Sequence, residues 1–145
     1  MIYADSSAIV KRYLDEPGSV RVREGWPAID HVFTSRVAYA EVHAAMARKH
    51  REGEMSALDF RRMAASFDKE WLSFDHVLVD PATLREIPRL VRRYPLRGYD
   101  AIHLAAALWI RQRMDRPVDF WVSDARLASA ARTERFVVIN PELEQ

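Results

Sequence analysis

The sequence predicts an α/β domain: a parallel sheet covered by helices on both faces. Three observations carry this expectation. Five short apolar stretches alternate with longer stretches of helical period, the pattern of a parallel α/β sheet. The length of 145 residues suits one domain with a real core, and no repeat, linker or low-complexity segment divides residues 1–145. Acidic residues stand directly after predicted strands, where open α/β sheets place their ligands.

Each element follows from its residues. Ile2–Ala4 reads as a short buried strand, followed at once by Asp5, Ser6 and Ser7. Residues 6–15 form an amphipathic helix with Ile9, Val10, Tyr13 and Leu14 on its apolar side, and Pro17-Gly18 breaks it. A short helix covers 19–25, and His31–Thr34 is the second strand. Ser35 is placed to cap a long Ala-rich helix from Val37 to Lys49, with Gly53 as its stop. Ser56, with Asp59 three residues on, caps a helix carrying Leu58, Phe60, Met63, Phe67, Trp71 and Leu72.

Val77–Val79 is the third strand. Asp80-Pro81 then supplies a cap and a proline for the first turn of a helix over 82–93, ended by Tyr94-Pro95. Leu96-Arg97-Gly98 connects to a second Ala-rich helix over 99–113. Pro117 precedes the fourth strand, Asp119–Val122. Asp124 opens a short helix to Arg132, and Phe136–Ile139 is the fifth strand.

Composition narrows the function classes. A hydrophobic fraction of 49% and a charged fraction of 30% are those of a soluble globular protein. The absence of Cys excludes disulfides and thiolate metal sites and suits a reducing cytoplasm. No basic segment leads into a long apolar run, so no signal peptide is expected, and no stretch approaches the roughly 18 apolar residues of a membrane span. The net charge is only +1, so the chain as a whole is no electrostatic sponge for nucleic acid. Lys occurs only at 11, 49 and 69, and the other 19 basic residues are Arg, the side chain suited to bidentate phosphate contacts.

Four carboxylates point to chemistry. Glu41 sits among Val37, Ala38, Ala44 and Ala45 at helical spacing, and an acid on an apolar face is costly unless paired or bound to a cation. Asp5 and Asp124 follow strands, and Asp100 lies in the first turn of an Ala-rich helix, where the helix dipole favours negative charge. Each of these three has helix capping as its bland alternative. Together they converge on one rim of a right-handed parallel sheet. Carboxylates ~4 Å apart repel by about 4 kcal/mol per pair at an effective dielectric near 20, so such a cluster requires protonation or a divalent cation. All-oxygen donors without Cys select Mg²⁺ or Mn²⁺, and a hard cation held this way points to phosphoryl chemistry. Ser6 and Ser123 flank two of the acids and are candidates to position water or phosphate. Capping of the first helix falls to Ser6 or Ser7, leaving Asp5 as a metal ligand.

The sequence resembles the PIN-domain ribonucleases, specifically the VapC-type toxins, over essentially the whole chain. The resemblance rests on Ile2-Tyr3-Ala4-Asp5-Ser6-Ser7-Ala8 and on Glu41 in the Ala-rich helix after the second strand. It continues in Leu96-Arg97-Gly98-Tyr99-Asp100-Ala101-Ile102-His103-Leu104-Ala105 and Ser123-Asp124-Ala125-Arg126-Leu127. It implies a three-layer α/β/α sandwich on a parallel five-stranded sheet, with an acidic pocket binding Mg²⁺ or Mn²⁺. It also implies cytoplasmic endoribonuclease action by a homodimer held in check by a VapB-like antitoxin. Asp5, Glu41, Asp100 and Asp124 match the acidic quartet, as catalytic and metal-holding residues. Val122 stands where many relatives carry Thr two residues before the last acid, which leaves Ser123 as the nearby hydroxyl.

Other residues are weighed against these. His103, one turn after Asp100, is either a packed histidine or a general base favouring attack by the RNA 2′-hydroxyl. His43 is structural. Asp80 invites comparison with a receiver-domain acceptor, but Pro81 favours capping. Arg92, Arg93 and Arg97 beside Tyr94 are candidates for an RNA track, with Arg97 the best substrate-side residue. Trp71, Trp109 and Trp121 belong to the core or a dimer surface, and the Met63–Trp71 helix is a candidate dimer face. Two rival functions remain: a PIN-like nuclease of RNA processing or DNA metabolism without an antitoxin, and a non-catalytic binding module. The presence of all four acids argues against the second.

Overall fold

A computed structural model describes residues 1–143. Strands β1 (Ile2–Ala4), β2 (Val32–Ser35), β3 (Asp75–Val77), β4 (Asp119–Trp121) and β5 (Val138–Ile139) form one sheet in the order β3-β2-β1-β4-β5. Every neighbouring pair is parallel. The chain runs outward from β1 through β2 to β3, then crosses to the other side of β1 for β4 and β5. Connections therefore diverge above β1 and β4, which is where sheets of this kind leave a crevice for ligands.

Helices α1 (Ser6–Ile9), α2 (Ser19–Gly25), α3 (Val37–Arg51) and α4 (Ala57–Trp71) come from the first half of the chain. Helices α5 (Pro81–Leu84), α6 (Ile87–Arg93), α7 (Gly98–Arg111) and α8 (Ala125–Thr133) come from the second. Side chains along a strand alternate between faces, and here both faces are buried. Ile2, Ala4, Val32 and Trp121 pack with Ile9, Val42, Met46 and Phe67 in one core. Tyr3, Phe33 and Phe120 pack with Leu90, Leu104, Leu127 and Phe136 in the other. The result is the expected three-layer sandwich.

Several boundaries differ from the sequence expectation, among them β5, which is Val138–Ile139 rather than Phe136–Ile139, and four of them have a local reason. The first helix ends at Ile9 and tightens into a 3₁₀ turn over Val10–Arg12. The third strand is Asp75–Val77, because pairing with β2 ends at Ser35 opposite Val77 and leaves Leu78 and Val79 exposed. The helix expected over 82–93 is two helices: Pro88, in the first turn of α6, has no N–H to continue the ladder from α5. Ser35 ends β2 and Arg36 takes the N-cap position of α3, although the Ser35 Oγ still accepts from Val37 N–H at 3.5 Å.

Candidate active site

The sheet delivers Asp5 rigidly to its upper rim. Asp5 extends β1 by one residue, its N–H donating to the Trp121 carbonyl of β4 at 3.1 Å. Its side chain then turns back to cap α1. Oδ1 accepts from Ala8 N–H at 3.2 Å and from Ser7 Oγ at 2.7 Å. Capping thus belongs to Asp5 itself, not to Ser6 or Ser7. Ser7 is its partner, and Ser6 lies half-buried in the same turn. Asp5 is only 3% exposed. Burial raises its carboxyl from 3.8 to about 6, with the charge of Glu41 adding to the rise and His103, Ser7 and Ala8 opposing it.

Ser7 also ties two strand ends together, because its Oγ accepts from Ser123 N–H at 2.8 Å. Ser123 therefore stands beside Asp5, as well as before Asp124. Its own Oγ is buried and has no hydrogen-bond partner among the described residues. Asp124 caps α8, Oδ1 accepting from Arg126 and Leu127 N–H, both at 2.9 Å.

Glu41 lies at the edge of the buried stripe of α3, with Ala38 and Val42 buried beside it and Ala40 and Ala44 exposed. Its partner is His103 of α7, whose Nε2 meets Oε2 at 2.7 Å. His103 is 1% exposed, and its Nδ1 meets the hydroxyl of Tyr3 at 2.9 Å. That hydroxyl accepts from Ser35 N–H at 3.1 Å. Burial lowers the basicity of His103, but Glu41, Asp5 and Asp100 outweigh it and raise its pKa. His103 is therefore a buried histidine that faces the acids. Tyr3 is absent from the sequence-derived site, although a tyrosine inside a buried strand signals a hydroxyl that needs a partner.

Asp100 is half-buried in the first turn of α7, and its Oδ2 accepts from Arg97 N–H at 3.2 Å. Burial raises its pKa, reinforced by the charge of Asp124 and opposed by Arg97 and His103. The charge of Glu41 thus acts on Asp5 and that of Asp124 on Asp100, while His103 opposes the rise of both.

The four carboxylates share one pattern. Each anchors one oxygen in the protein. Oδ2 of Asp5, Oε1 of Glu41, Oδ1 of Asp100 and Oδ2 of Asp124 have no hydrogen bond among the described residues. None of these four oxygens is among the sealed, unpaired buried atoms. Four anchored hard-oxygen donors with surplus negative charge fit Mg²⁺ or Mn²⁺. Among the described residues, no group of three or more His, Cys, Asp or Glu side chains stands close enough together to hold a metal ion as it is.

The remaining candidates separate from the site. Arg97 is exposed just before α7 and borders it. The phenol of Tyr94 is engaged by Glu134 at 2.6 Å, and Arg93 stacks on its ring, so Tyr94 is committed to the fold. His43 pairs with Asp68 at 2.8 Å, and Asp80 caps α5 in a box with Thr83. Trp121 is buried, and Trp71 and Trp109 pack against the two cores. In α4, Met63, Phe67 and Trp71 also turn inward.

Comparison with known proteins shows the family of the chain. A family model described as "PIN domain" matches residues 2–114. Ribonuclease VapC45 of Mycobacterium tuberculosis is 32% identical over 108 residues, covering 74% of this chain and 75% of that protein. Ribonuclease VapC46 of the same species is 34% identical over 140 residues, covering 97% of each chain. A chain of a toxin-antitoxin complex from Klebsiella pneumoniae superposes with a TM-score of 0.63 at 18% identity, covering 97% of this chain and 98% of its own.

Proposed function

This chain belongs to the PIN domain family, and from that premise we propose that it is a Mg²⁺- or Mn²⁺-dependent endoribonuclease acting as the toxin of a toxin–antitoxin pair. The observation that carries the proposal is the shared state of Asp5, Glu41, Asp100 and Asp124, each anchored through one oxygen with the other unpartnered. Those residues hold the cation. When bound, it supplies water activation and stabilises charge on the phosphodiester oxygens, leaving 5′-phosphate and 3′-hydroxyl ends.

The chain's own residues prepare that chemistry. The sheet fixes Asp5, the α7 dipole favours charge on Asp100, and α8 holds Asp124 through two N–H groups. Arg97, exposed at the rim, takes a phosphate of the RNA, and Ser6 lies on the substrate side, whereas the Ser123 hydroxyl is buried. Among the described residues no helix is long and apolar enough to cross a membrane, and we place the activity in the cytoplasm, with its RNA substrate.

The same charge defines the inhibitor. A basic side chain of a VapB-like antitoxin enters the acidic pocket and substitutes for the cation. Apolar grooves beside it, lined by Ile87, Tyr99 and Ile102 and by Val37, Ala40 and Ala44, receive the apolar side of that segment. The active form is a homodimer. The test is RNA cleavage by purified protein with and without Mn²⁺, with sequencing of the RNA ends. Cleavage that needs the cation and is lost in Asp100→Asn is the expected result. Cleavage by Asp100→Asn at the wild-type rate overturns the mechanism. A complex with the partner in which the acidic pocket stays open overturns the mode of inhibition.

A further inference from the structure

Resting on the proposed function, we infer that Tyr3 and His103 are positioning residues that aim Glu41 into the site. Three observations carry this. First, Glu41 lies on α3 and has no other hydrogen bond among the described residues; its one anchor is His103, 62 positions away on α7. Second, His103 is itself fixed at its opposite nitrogen by Tyr3, and Tyr3 by the Ser35 N–H at the end of β2. Third, the two inner members are sealed and only Glu41 reaches the surface: Tyr3 is 0% exposed and His103 1%.

The direction of the chain follows from donors and acceptors. Ser35 N–H can only donate, so the Tyr3 oxygen accepts and its O–H remains free to donate. With a neutral imidazole, that O–H donates to Nδ1, and the ring proton sits on Nε2, facing Glu41. With a protonated imidazole, both nitrogens carry protons, and Nε2 still donates to Glu41. In either state His103 presents an N–H to Oε2 and leaves Oε1 directed elsewhere. The strand end at Ser35 is thereby coupled to the orientation of a carboxylate on another element. Partners of this kind behind a metal ligand commonly change metal affinity by about 10–100-fold when removed.

The experiment separates aiming from packing by using the two amide replacements of histidine. The amide nitrogen of His103→Gln reaches the position of Nε2 and retains the donor to Glu41. His103→Asn reaches only the position of Nδ1 and retains the contact to Tyr3. Mn²⁺ affinity is measured by calorimetry without RNA, alongside thermal melting and RNA cleavage. The expected result is that His103→Asn binds Mn²⁺ about tenfold more weakly than His103→Gln at similar melting temperatures. In a Glu41→Gln background, His103→Asn then causes no further loss, as two residues acting through one contact require.

Equal weakening by Asn and Gln, or a full loss that persists in Glu41→Gln, overturns the inference while leaving the nuclease reading intact. Mn²⁺ binding and cleavage unchanged in Glu41→Gln overturn the placing of Glu41 in the site, and this inference with it. Should His103→Asn fail to fold, Tyr3→Phe carries the test. It removes one oxygen and leaves the ring, so a drop in Mn²⁺ affinity of about threefold or more at unchanged melting supports the inference. Unchanged affinity overturns it.

Discussion

Half-buried carboxylates meet two different fates in this molecule. Glu70 and Glu134 are saturated. Glu70 receives Arg12 through Nε at 2.9 Å and Nη2 at 2.5 Å, and the Tyr13 hydroxyl as well. Glu134 receives Arg89 at 2.8 Å and Tyr94 at 2.6 Å, with a second Arg89 contact at 3.4 Å on its other oxygen. Burial opposes ionisation of Glu134, yet Arg89 and Tyr94 hold its pKa below the usual range. At the acidic rim the balance is reversed: Asp5 is pushed up to about 6 and Asp100 is also raised. Burial acts in the same direction on both groups; it prevails at the sealed Asp5 and at Asp100, whereas Arg89 and Tyr94 outweigh it at Glu134. Glu70 and Glu134 use both oxygens on cations or hydroxyls. Each acid of the rim uses one and keeps the other idle.

That contrast can be broken by exchanging what each group loses. Asp5→Asn and Asp100→Asn each lower RNA cleavage by about a hundredfold or more, while Glu70→Gln leaves the rate per folded molecule unchanged. A cleavage assay normalised to folded protein decides it. Glu70→Ala is expected to cost about 3 kcal/mol in urea unfolding, because Arg12 is left without its partner.

Asp5→Asn should move stability in the opposite direction. The folded state keeps the Asp5 proton up to about pH 6, whereas an unfolded chain releases it near 3.8, so folding is penalised increasingly as pH rises through that interval. Asn keeps the capping oxygen and removes the charge. The metal-free variant should therefore be more stable than wild type by roughly 2–3 kcal/mol at pH 7.5, with the gain vanishing below pH 4. Added Mn²⁺ should close the gap by stabilising wild type alone. Melting curves across pH, with and without Mn²⁺, measure both. The smallest effect belongs to Arg97→Ala: about a threefold rise in KM and a shallower dependence on salt, with kcat retained.

The alternation of strands and helices was enough to read the architecture, because burial on both faces of a parallel sheet leaves its mark in each short apolar run. Strand ends were less legible. Leu78 and Val79 continue an apolar run, but pairing stops at Val77 because β2 has no further residue to offer. The acids were legible as a set through their places after strands and at a helix start. Their capping was not: for Asp5 and Asp124 it looked like an alternative to site chemistry, whereas a carboxylate that caps through one oxygen keeps the other free. The Tyr3–His103–Glu41 chain joins residues from three distant segments, and no local spacing encodes it. Ser7, which holds Asp5 and Ser123 together, was hidden for the same reason.

The strand order also has a consequence for synthesis. β1 is made first and lies at the sheet's centre, but its pairing with β4 joins residues 2–4 to residues 119–121. While the first half of the chain emerges from the ribosome, β1 can meet only β2, and Asp5 stands on an open edge. Asp100 and Asp124 arrive afterwards, and the Ser7–Ser123 clasp forms only once β4 has docked. A nascent chain therefore has no assembled acidic rim until Asp124 has emerged and β4 has docked.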